Sequence, residues 1–103
     1  MRPTGRLSRC FEELRRRGEG AFIPFITVGD PTPDATLKLI ETLTESGADI
    51  IELGLPFSDP IADGPTIQAS YDRALRSHTN PTMVFELIQR ARTTIKIPLM
   101  LLT

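Results

Sequence analysis

Apolar residues recur along this chain in two rhythms. Leu7, Cys10, Phe11 and Leu14 stand at i, i+3, i+4 and i+7, which predicts an amphipathic helix that ends near Gly18, a residue suited to a left-handed C-terminal cap. Ala21 to Val28 (AFIPFITV) is a short, partly β-branched apolar run stopped by Gly29-Asp30-Pro31, and it predicts a buried strand, with Pro24 the one feature against it. After that Pro-rich turn Asp34 opens a second helix, whose inner face is Leu37, Ile40 and Leu43 and whose stop is Gly47. Asp49 to Leu53 predicts the next strand. The segment from Gly54 to Pro65 carries Pro56, Pro60 and Pro65 and predicts a loop.

Ile67, Tyr71, Ala74 and Leu75 then share one helical face, with Pro65 near the first turn. Asn80 as cap and Pro81 at the first helical position open a further helix with the stripe Val84, Ile88, Ala91 and Ile95. The last residues, IPLMLLT, predict a third apolar strand. This alternation of strands and helices is that of a parallel sheet, so the expected class is α/β, in one partial domain over residues 1–103. Three parallel strands leave two open edges, and the run of apolar residues at the end leads to the expectation that this is the front part of a larger protein.

Charge and composition narrow the function classes. The net charge of −1 offers no positive field for nucleic acid or an anionic membrane. Arg2, Arg6, Arg9, Arg15, Arg16 and Arg17 cluster early, but Glu12, Glu13 and Glu19 interrupt them, as on a solvated helix face. No apolar segment approaches the roughly 20 residues of a membrane-spanning helix, and the start lacks the apolar core of a secretory signal, so a cytoplasmic protein is expected. Cys10 is the one cysteine and falls on the apolar helical stripe, which fits a buried, inert thiol. His78, the one histidine, lies in a loop-like Ser-His-Thr-Asn stretch, and no metal-ligand spacing is present.

Two carboxylates stand out. Glu52 sits among Ile50, Ile51 and Leu53, where an ionised group is costly unless it is paired or used. Asp63 follows in the turn-rich loop. Without further information Glu52 fits a buried structural ion pair as well as a working acid, and Asp63 before Gly64 fits an ordinary turn. Asp30, in Gly29-Asp30-Pro31, reads as fixing the turn after the first strand.

The stretch ELGLPFSDPIADGPTIQAS, with PFITVGDPTPD before it and IPLMLL after it, resembles the tryptophan synthase alpha subunit family. The resemblance runs over essentially the whole chain. It implies the first three strands and associated helices of a (β/α)8 TIM barrel, whose working residues stand at the carboxyl ends of strands and in the loops that follow. It implies a lyase that cleaves indole-3-glycerol phosphate to indole and glyceraldehyde 3-phosphate by a retro-aldol reaction. Glu52 matches the family's acid and base, and Asp63 the carboxylate that accepts the indole N–H. Phe25, Ala62, Ile67 and Leu102 match positions that line the indole pocket, although each fits ordinary packing equally well. Pro56, Asp59 and Pro60 match the loop that meets the beta subunit in an α2β2 assembly. No cofactor of the chain's own is implied, since pyridoxal phosphate belongs to the beta subunit. The family's phosphate-holding loops follow strands seven and eight, beyond Thr103, so the 103 residues alone are expected to be inactive. The competing reading is a non-enzymatic βαβ module that binds a ligand or partner through the Gly29 to Asp34 and Gly54 to Pro65 loops. A related phosphate-binding barrel with other chemistry would show Lys or His at the strand ends, and neither end here has one.

Overall fold

A computed structural model describes residues 5–57 and 64–102. Its elements run α1 (Arg6–Arg17), β1 (Phe25–Thr27), α2 (Pro33–Glu45), β2 (Ile51–Gly54), α3 (Pro65–Arg76), α4 (Pro81–Arg92) and β3 (Leu99–Leu102). The strands form one parallel sheet in the order β1-β2-β3, the α/β arrangement expected from the sequence.

The helix termini follow local chemistry. Gly18 takes φ 67 and closes α1, its N–H reaching the carbonyls of Leu14 and Arg15. Arg15, Arg16 and Arg17 occupy the last turn, where the helix dipole favours cations, and Glu13 pairs with Arg16 and Arg17 on the exposed side. Thr32 and Asn80 cap α2 and α4 by accepting from the N–H groups of Ala35 and Met83, and both helices begin with proline.

All three strands differ from their expected bounds, β3 beginning at Leu99 and not at Ile97. β1 covers Phe25–Thr27 and not Ala21–Val28. Pro24 has no N–H to donate, and the Phe22 N–H is taken by the Asp49 carboxylate at 2.8 Å. The Phe22 carbonyl accepts from the Asp49 N–H, so residues 21–24 run beside β2's approach without regular pairing. The same clasp delays β2, which starts at Ile51 and not Asp49, and extends through Gly54.

The core lies between the sheet and the pair α2 and α4. Ile51 and Leu53, both fully buried, meet Ile40 of α2 and Val84, Leu87 and Ala91 of α4. Leu87 is an addition to the expected stripe, while Leu75, expected on the inner face of α3, is 47% exposed. Tyr71 and Ala74 are buried as expected, and Ser70 joins them on the buried side of α3. α1 lies at the opposite end of the strands from α3. Its Cys10 thiol contacts the Asp49 carbonyl just before β2, and a cleft between α1, Ala48, Asp49 and Pro98 opens at the strand N-termini. Among the described residues no helix is long and apolar enough to cross a membrane.

Candidate functional site

Side chains alternate along a strand, and parallel register then sorts them into rows across the sheet. Phe25, Glu52 and Met100 form one row, and Thr27, Gly54 and Leu102 form the next row toward the strand C-termini. Ile51 and Leu53 point the other way, into the helices. Glu52 therefore shares its face with Phe25 and Leu102, three of the residues singled out from the sequence. Its Ile51 and Leu53 neighbours are buried against the helices, whereas Glu52 stands on the opposite face of the sheet and is half-buried.

Gly54 makes room on this face. A Cβ there would lie 2.5 Å from Cζ of Phe25 and 2.9 Å from the Tyr71 hydroxyl. The absence of a side chain lets the Phe25 ring and the tip of Tyr71 converge over the end of β2, the close approach that a glycine within a strand can mark. Reading the sequence for apolar stripes placed Tyr71 on a helix face and missed this convergence.

α3 stands over the C-terminal end of β1. The Thr27 and Ser70 hydroxyls are 2.7 Å apart in a buried contact, and Ser70 Oγ also donates to the Ile67 carbonyl at 2.7 Å. Ile67 is half-buried in the first turn of α3. Between β1 and α3 runs a cleft of about 250 Å³ whose lining includes Phe25, Thr27, Ile67, Ser70, Asp30 and Arg73. Phe25 and Ile67 thus share a wall, while Glu52 follows Phe25 in its row of the sheet face and Leu102 stands in the next row.

At the mouth of this cleft Arg73 donates two hydrogen bonds to Asp30, Nε to Oδ1 at 2.8 Å and an Nη to Oδ2 at 3.0 Å. The bond to Asp30 raises the Arg73 pKa further above its already high value. Elsewhere, burial first and the Asp49 carboxylate second push the Cys10 thiol pKa up, against a smaller opposing effect from Arg17. Pro56 is buried by the chain's own fold, and Phe57 beside it is exposed. Asp59, Pro60, Ala62 and Asp63 lie outside the described residues. Among the described residues no group of three or more His, Cys, Asp or Glu is placed to hold a metal ion.

Comparison with known proteins decides the family. A sequence profile for the tryptophan synthase alpha chain matches residues 11–103. The chain belongs to the tryptophan synthase alpha chain family. The tryptophan synthase alpha chain of Photobacterium profundum is 56% identical over 87 residues, which are 84% of this chain and 32% of that protein. The structure of tryptophan synthase subunit alpha from Legionella pneumophila str. Paris superposes with a TM-score of 0.91 at 38% identity, covering 96% of this chain and 38% of the other. The Pyrococcus furiosus tryptophan synthase α2β2 complex matches with a TM-score of 0.74 at 43% identity, over 79% of this chain and 32% of the chain compared. The chain spans about a third of the length of the curated relatives it matches. The three strands and four helices of the described residues match the first part of the alpha chain's (β/α)8 barrel.

Proposed function

We propose that the protein carrying this segment is an indole-3-glycerol-phosphate lyase, with Glu52 and Asp63 as its two working carboxyl groups. The observation that carries the reading is the row of Phe25, Glu52 and Met100: it sets a half-buried carboxyl beside an aromatic ring, on the sheet face turned away from α2 and α4. Barrel enzymes hold their reacting groups at strand C-termini, and Glu52 is two residues from the end of β2.

Retro-aldol cleavage needs a proton on the indole ring carbon that bears the side chain. It also needs removal of a proton from the neighbouring side-chain hydroxyl, whose oxygen becomes the aldehyde of glyceraldehyde 3-phosphate as the carbon–carbon bond breaks. A single carboxyl within reach of both positions does both, as acid toward the ring and then as base toward the hydroxyl. Glu52 is assigned that double role. Protonating the ring carbon places positive charge on the indole nitrogen, and the Asp63 carboxylate is assigned to accept the N–H bond and stabilise that charge. Phe25, Ile67, Leu102 and Ala62 are assigned to the apolar wall around the indole.

The Pyrococcus furiosus relative is an α2β2 complex. By analogy the loop that carries Pro56, Asp59 and Pro60 is assigned to contact with a beta subunit, Pro56 anchoring it from within the fold, in a cytoplasmic assembly where that subunit consumes the indole. The test is a chimera of residues 1–103 joined to the remaining two thirds of the Photobacterium profundum alpha chain. Glu52→Gln, which can neither give nor take the proton, is expected to lower kcat for indole release by about 100-fold or more, and Asp63→Asn by a comparable factor. The 103-residue chain alone is expected to release no indole. Near-parental turnover in both variants would end the assignment.

A further inference from the structure

α3 meets β1 through a polar seam. Ser70, Arg73 and Ser77, spaced i, i+3 and i+7, fall on one side of the helix. Each reaches a different point at the end of β1: Ser70 the Thr27 hydroxyl, Arg73 the Asp30 carboxylate, and Ser77 the Gly29 carbonyl at 2.9 Å. The Gly29 N–H is in turn held by Thr36 Oγ1 of α2 at 2.8 Å. Apolar packing tolerates small slides, whereas hydrogen bonds weaken steeply outside a narrow range of length and angle. A row of them therefore sets both the rotation and the axial position of α3. The two-pronged Arg73–Asp30 bond adds a planar constraint that a lone hydroxyl does not.

The position so set is that of Ile67, one turn before Ser70 and bonded to it through its carbonyl. Phe25 lies two residues before Thr27 on the strand at the other end of the same bond. We propose that Asp30 and Arg73 are a positioning pair for the lyase reaction, which fixes α3 against β1 and so sets the Phe25–Ile67 wall of the cleft. This rests on the reading of that cleft as the indole side of the site.

An exposed ion pair contributes little to stability, and the Arg73 side chain is 50% exposed. Loss of the pair as ordinary surface decoration would leave both thermal stability and kinetics nearly unchanged. Loss of a positioning pair should instead move KM for indole-3-glycerol phosphate while stability holds.

The experiment uses the chimera and the variants Asp30→Asn, Arg73→Gln, their combination, and Arg73→Lys, with Glu52→Gln alongside. Each single neutral variant is expected to raise KM by about tenfold, in line with the cost of sub-ångström misplacement of a binding wall. Tm is expected to fall by no more than about 4 °C. The double variant should be no worse than the worse single, because both disrupt the same two-pronged contact. Arg73→Lys, which keeps the charge and loses the fork, should recover only part of the loss. KM within about twofold of the parent in both single variants, or losses that multiply in the double, would overturn the proposal. If Glu52→Gln abolishes turnover while the pair variants are silent, only the pair's role falls. If Glu52→Gln keeps near-parental turnover, the site reading falls and takes the pair's role with it.

Discussion

Gly29 offers a quantitative check of the turn between β1 and α2. It sits at φ 94, a conformation that L side chains rarely adopt. Its N–H is bonded to Thr36 and its carbonyl to Ser77, so the backbone cannot rotate away without breaking the seam that holds α3. In Gly29→Ala the new methyl would meet three atoms of the Thr79 side chain, Oγ1 together with Cβ at 2.8 Å and Cγ2 at 2.9 Å. Carbon atoms pack at about 3.5–4.0 Å, so the overlap is severe. Thr79 is 6% exposed and short, with no flexible end to swing aside.

Two costs add. Holding a non-glycine residue in a sparsely populated backbone region costs about 1–3 kcal/mol. Overpacking a filled site costs about 1–3 kcal/mol more. The expected loss is therefore about 2–6 kcal/mol, far above the effect of an ordinary surface change. Urea unfolding of the chimera, followed by circular dichroism, should show the midpoint fall by about 1 M or more at an unchanged slope. Repeating the substitution in a Thr79→Gly background separates the two costs, since removing the threonine side chain leaves only the backbone part. The penalty for Gly29→Ala should then drop by about 1–3 kcal/mol. A penalty under about 0.5 kcal/mol, or an identical penalty in both backgrounds, would refute the reasoning.

Two other outcomes are expected. Asn80→Ala removes the acceptor for the Met83 N–H, a bond of 3.0 Å, and should cost about 1 kcal/mol in the same unfolding assay, with Asn80→Gly costing only a few tenths. Because burial and then Asp49 raise the Cys10 pKa, the thiolate is scarcer at a given pH than for a free thiol. Alkylation by iodoacetamide at about pH 8 should accordingly be slower than for free cysteine, with the rate inflecting above the ordinary thiol value of about 8.5; an inflection at or below that value would count against the assigned environment.

Local signals in the chain were legible because their causes are local. Gly18 after an apolar stripe, and Asn80-Pro81 before one, specify helix ends through backbone chemistry within a few residues, and both ends stand where that chemistry puts them. The strand bounds were less legible because their causes are distant. β1 is cut short by Pro24 and by the Asp49 carboxylate, 27 residues from its Phe22 partner. The face of α3 was drawn only in part for the same reason, with Tyr71 and Ala74 buried as expected and the polar seam missed. Grouping apolar residues put Leu75 inside, whereas the face that meets β1 is specified by Thr27, Gly29 and Asp30, each more than 40 residues from its partner on the helix. No periodicity in hydrophobicity can show a seam made of Ser70, Arg73 and Ser77, since a polar stripe on a helix ordinarily faces water.

Glu52 shows how a strand can reconcile a carboxylate with apolar neighbours. Read along the chain, Ile50-Ile51-Glu52-Leu53 suggests a charge forced into a core, and the natural remedies are an ion pair or a shift toward the neutral acid. The sheet supplies a third. With a side-chain period of two, Ile51 and Leu53 fill the space against α2 and α4, while Glu52 is carried to the face of Phe25 and Met100. The helix-facing residues anchor the strand and leave the other face to Glu52 and Gly54, which differ in what each offers. Gly54 gives up its side chain so that Phe25 and Tyr71 converge, and Glu52, one row earlier, offers a carboxyl toward the same side of the sheet. A slip of one residue in register would turn Glu52 into the helices and Leu53 toward the face of Phe25 and Met100, losing the core packing and the position of the carboxyl together. Strand packing and the assigned chemistry thus depend on the same register, and the fully buried Ile51 and Leu53 are what hold it.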